Sequence, residues 1–81
     1  MTRLPRDVSG QRLAKALVKL GYAAGRQRGS HLAVTTLESG KHTLHIPLHP
    51  NLKPGMLSHL LGQVQAHFGL SRDQLLELLD L

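Results

Sequence analysis

The chain has no cysteine and no tryptophan, and its phenylalanine and tyrosine content is a single Tyr22 and a single Phe68. Without cysteine there is no disulfide framework and no thiolate-ligated metal, which fits a reducing compartment. Two aromatics do not build a platform for base stacking, so contact with nucleic acid would rest mainly on phosphate, sugar and backbone shape. Acids are also scarce, five Asp and Glu in all. That argues against a paired-carboxylate glycosidase and against the carboxylate cluster of metal-dependent phosphoryl transfer. No apolar run reaches membrane-spanning length. The first ten residues carry Arg3, Pro5, Arg6 and Asp7 instead of a secretory apolar core. The expected location is therefore the cytoplasm. Phosphate-loop, zinc-protease and nucleophile-elbow motifs are absent as well.

What the chain does have is positive charge. Ten Lys and Arg stand against five Asp and Glu, a net +5 in 81 residues. Asp73, Glu77 and Asp80 fall in the last nine residues. The rest is opposed only by Asp7 and Glu38, and a polyanion is its natural partner. The length predicts one domain over residues 1–81 with one thin core.

Ser9 is suited to cap a helix, with Val8 and Leu13 at hydrophobic-staple positions. Leu13, Leu17 and Leu20 recur at helical spacing, and Gly21 ends the run. Arg12, Lys15 and Lys19 form a basic stripe that reads first as a solvated face. From Ala23 to Leu48 the pattern predicts three strands, about 23–28, 31–37 and 41–48. Gly29-Ser30 and Glu38-Ser39-Gly40 form the turns. In the third strand Leu44, Ile46 and Leu48 alternate with Thr43, His45 and Pro47. Pro47 marks an edge or a strand end. Pro54 opens a second helix with an apolar stripe of Leu57, Leu60, Leu61, Val64 and Phe68. Ser71 and Gln74 make a capping box for a short leucine-rich helix over 71–81, whose leucines either complete the core or meet another chain. The expected fold class is α+β, in the order α-β-β-β-α-α. A three-stranded antiparallel sheet has helices on one face and its other face open. This is the layout of double-stranded-RNA-binding domains in a shorter, shuffled form.

Six histidines invite a metal reading, with His42, His45 and His49 at ligand-like gaps. In a strand, however, His42 and His45 point to opposite faces, so ordinary surface histidines are the favoured account. His59 and His67 lie off the apolar stripe of the second helix and are expected to be exposed. His31 is different. It enters a strand from the Gly29-Ser30 turn, with Arg26 and Arg28 just before it. Cleavage of RNA without a metal needs only proton carriers and cations, because the ribose 2′-OH is a built-in nucleophile. If Leu32 and Val34 face the core, His31 points to the open face. Whether Arg26 and Arg28 share that face depends on a turn register the sequence leaves open.

Arg26-Gln27-Arg28-Gly29-Ser30-His31, the later Ile46-Pro47-Leu48-His49 and the string Leu52-Lys53-Pro54-Gly55-Met56-Leu57 together resemble the HicA (YcfA-like) toxins of bacterial type II toxin–antitoxin systems. The resemblance runs from about Ser9 to Leu79. It implies a double-stranded-RNA-binding-like fold and an mRNA interferase activity, an endoribonuclease that halts translation, with His31 as the catalytic residue. It also implies a HicB-like antitoxin partner, with operator DNA met only through that antitoxin. The chain departs from the family in having Leu32 where many members carry a second histidine. Its start, residues 1–8, is a longer N-terminal extension than usual.

The leading expectation is a metal-independent endoribonuclease with no cofactor. His31 is its general acid or base. Arg26, Arg28, Gly29 and Ser30 are phosphate contacts, and Lys53 is a further RNA-binding candidate. His45 and His49 are both open as assistants to His31. The alternatives are a non-catalytic double-stranded-RNA-binding module and a protein-binding adaptor using the last helix.

Overall fold

The computed structural model describes residues 4–81. Helix α1 (Gly10–Leu17) runs into a 3-10 turn, Val18–Leu20. Strands β1 (Ala23–Arg28), β2 (His31–Thr36) and β3 (His42–Pro47) follow, then α2 (Pro54–Phe68) and α3 (Arg72–Leu79). The sheet is antiparallel in the order β1-β2-β3, so β2 is central and β3, with its terminal proline, is an edge strand. The α+β class and the order α-β-β-β-α-α are those expected from the sequence.

Local chemistry accounts for the boundaries. Ser9 Oγ accepts a hydrogen bond from the Arg12 amide at 3.0 Å, and Val8 is buried in the core with Leu13. Gly21 stops the first helical segment at φ 85°. A Cβ there would lie 2.7 Å from the Glu38 side chain and 2.9 Å from Thr36 Oγ1, so glycine is required for conformation and for space. Ser71 and Gln74 form the reciprocal capping box at the start of α3.

One core joins all three helices to one face of the sheet. Leu13 and Leu17 of α1 pack with Val34, Leu44 and Ile46 of the sheet and with Leu57, Leu60, Leu61 and Val64 of α2. Leu75 and Leu79 of α3 complete this core, while Leu78 stays 48% exposed. Arg72 donates to Gln65 Oε1 and to the Ser58 carbonyl, tying α3 to α2. Lys19 leaves the expected solvated stripe in part, because its ammonium donates to the Leu79 carbonyl at 3.3 Å. A cation at a helix C-terminus is favoured by the helix dipole.

The helices cover β2 and β3 but not β1, every residue of which is exposed. The N-terminal extension is part of the packing where it is described. The Val8 carbonyl accepts from the Leu52 amide at 2.8 Å, and Asp7 Oδ1 accepts from Asn51. Residues 1–3 of that extension lie outside the described residues. At Gly10 a Cβ would fall 2.0 Å from the Pro47 carbonyl oxygen. The start of α1 is therefore pressed directly onto the end of β3. No described helix is long and apolar enough to cross a membrane.

Candidate functional site

The hairpin β1–β2 carries most of the candidate site residues. Arg28 pairs with His31 across a two-residue Gly29-Ser30 turn. Gly29 has φ 55°, the positive value that a primed hairpin turn needs at its first position. Gln27 Nε2 donates to the Gly29 carbonyl at 3.1 Å and steadies the turn. On the other side Leu48 N–H donates to the Ser30 carbonyl, so the turn is also held by the chain leaving β3.

The register of the two arginines is set by an irregularity. Ala24 faces Val34, but the next pair is Gln27 with Leu32. Gly25 and Arg26 therefore stand opposite the single residue Ala33, which is a β-bulge. Its effect on side-chain direction is decisive. Ala24 shares the core face with Val34, so unbroken alternation would turn Arg26 and Arg28 toward the covered face. The extra residue reverses the alternation. Arg28 then shares a face with its partner His31, and Gln27 lies beside Leu32. Glycine suits the bulge, since a Cβ on Gly25 would come within 3.3 Å of the Ala33 carbonyl oxygen.

On the β3 side His31 faces Pro47, Ala33 faces His45, and Leu32 faces Ile46. Leu32 packs against the core. A shallow cavity of about 590 Å³ lies on the open face, lined by Arg26, Arg28, His31, Ala33 and His45. It thus holds two guanidinium groups, two imidazoles and no carboxylate. Beyond it on the same face the hydroxyls of Thr35 and Thr43 hydrogen-bond at 2.9 Å.

Gly29 and Ser30 form the turn joining two lining residues, but do not line the cavity themselves. Lys53 does not line it either. It is exposed at the N-cap of α2, its carbonyl accepting from the Leu57 amide. His49, in the loop after β3, is exposed and outside the cavity lining, whereas His45 is inside it. The signal for His45 was its place opposite Leu44 and Ile46 in the strand alternation. The missing part was the β2–β3 register that sets it beside Ala33.

Two other histidines do not behave as free surface groups. His42 Nδ1 shares a 2.7 Å hydrogen bond with the buried Tyr22 hydroxyl. Its ring stacks on His67 at a centroid distance of 4.7 Å. His67 Nε2 donates to the Glu38 carbonyl at 2.9 Å, and its ring meets Phe68 edge-on. His67 is accordingly half-buried, not exposed as its place off the apolar stripe suggested. Burial, and secondarily the charge of His67, lowers the His42 pKa from its ordinary value. Burial pushes the Tyr22 phenol up to about 12. No group of three or more His, Cys, Asp and Glu is arranged for a metal among the described residues.

Fold and site together define a small basic α+β domain with one open sheet face. The family model described as the HicA toxin of bacterial toxin–antitoxin systems matches residues 10–66. The chain belongs to the HicA toxin family. No curated protein and no solved structure matches it significantly.

Proposed function

We propose that this toxin is a metal-independent endoribonuclease that cleaves mRNA, blocks translation and is neutralised by a HicB-like antitoxin. The observation that carries this reading is the bulge at Gly25-Arg26, which turns Arg28 onto the face of His31, in a cavity with Arg26. Cleavage begins when the ribose 2′-OH attacks its own 3′-phosphate. His31 moves a proton in that step, as general acid or base. The guanidinium groups of Arg26 and Arg28 neutralise the phosphate and the charge that builds on its oxygens. The Gly29-Ser30 turn sets the spacing between Arg28 and His31, and Lys53 extends the basic surface available to the RNA backbone. The shortage of aromatics fits a substrate held by phosphate and ribose.

A non-catalytic double-stranded-RNA-binding module would share the fold and the charge. It gives no reason for a histidine to line one open cavity with two arginines. Incubation of the purified chain with mRNA in excess EDTA separates the readings. Cleaved RNA is the expected result. Intact RNA, bound in a salt-sensitive way, would replace the enzyme with the module.

A further inference from the structure

We propose that His45 is a second catalytic residue, forming with His31 the acid–base pair of the RNA cleavage reaction. This rests on the reading of the site just given and names the second proton carrier it requires. Attack by O2′ forms an O2′–P bond and breaks the P–O5′ bond. The 2′-OH proton must leave as the first bond forms, and the departing 5′-oxygen must gain a proton as the second breaks. The products are a 2′,3′-cyclic phosphate and a 5′-hydroxyl, with atoms and charge balanced by one proton taken and one given. The entering and leaving oxygens lie on opposite sides of phosphorus, so one imidazole does not serve both at once.

Among the cavity-lining residues only His31 and His45 carry a side chain that can both take and give a proton, a guanidinium being a donor only. His31 faces Pro47 and His45 faces Ala33, so the two histidines are diagonal neighbours on one face. Such positions are about 7–8 Å apart, close enough for long side chains to approach the same group. Ala33, opposite His45 and on the same face as His31, offers only a methyl and leaves the space between the rings for a phosphate. Arg26 and Arg28 supply cations from the β1 side. Both rings also remain available. His42, His59 and His67 each commit a ring nitrogen to another protein group, whereas no described group holds a ring nitrogen of His31 or His45.

The test is the pH dependence of kcat/KM on a short RNA for wild type, His45→Gln and His49→Gln, with folding checked by circular dichroism. Wild type should give a bell-shaped profile. His45→Gln should lose one limb of the bell, and about 10²–10⁴-fold in rate. His49→Gln should keep both limbs. A His45→Gln enzyme that keeps both limbs overturns the pair, whatever its rate, and so does loss of a limb in His49→Gln alone. If instead the folded wild-type chain leaves RNA intact, the nuclease reading itself falls.

Discussion

Two pairs of histidines lie on opposite sides of the sheet in different surroundings, with His31, His45 and His42 on its strands and His67 on α2. His31 and His45 stand on the open face, with guanidinium groups for neighbours and no described group holding a ring nitrogen of either. His42 and His67 stack on each other where β3 meets α2, one bonded to a buried tyrosine and the other to a backbone carbonyl. His42 and His45 are only three residues apart on one strand, yet alternation sends them to opposite sides. The first pair is open to an anion. The second is a structural seam that ties β3, the hairpin loop and α2 together. Histidine count carries little meaning here, and the face on which each ring falls carries nearly all of it.

Substitutions on the covered side should have the largest effect on stability. Leu61 is fully buried under the sheet, so Leu61→Ala should cost about 2–5 kcal/mol in urea unfolding. Activity per folded molecule should change little. Gly10→Ala pushes a methyl into the Pro47 carbonyl and should cost about 1–3 kcal/mol by the same measurement. On the open face, Arg28→Gln should leave stability unchanged. It should weaken RNA binding by about tenfold or more and make the log–log salt slope shallower by about 1.

The smallest effect should come from the seam. The lowered His42 pKa means the folded state binds fewer protons there than the unfolded chain. Its contribution is therefore complete above about pH 6.5, the ordinary histidine value, and is lost as pH falls through the folded value. Thermal melts of wild type should show this acid-side loss, and His42→Asn should lack that part of it. Tyr22 gives the alkaline counterpart. Its contribution is full below its ordinary value of 10.0 and is lost as pH rises through about 12.

Most of the fold was legible because its signals are local. Ser9, Gly21, Pro54, Gly69 and the Ser71-Gln74 box mark helix ends by their own backbone chemistry. Leu44 and Ile46 fix the buried face of β3 by alternation. The face of Arg26 and Arg28 was not legible, because it depends on one inserted residue at Gly25-Arg26 and on the pairing of β1 with β2. That His45 lines the cavity with His31 and His49 does not was closed to the sequence for the same reason, since strand register is a relation between distant residues. The His42–His67 seam was hidden too. It joins residues far apart in the chain, and a histidine off a helix's apolar stripe carries no sign of what will pack over it. Of the N-terminal segment only the Val8 staple was legible, and the bond from the Leu52 amide to the Val8 carbonyl was not.

The most direct measurement compares wild type and His31→Ala on the same mRNA, in EDTA, with thermal stability recorded for both. His31 is exposed on the open face and outside the core, so its loss should leave the melting curve unchanged. Cleavage should fall by about 10²–10⁴-fold. A His31→Ala protein that melts like wild type and still cleaves RNA at the wild-type rate would contradict the account.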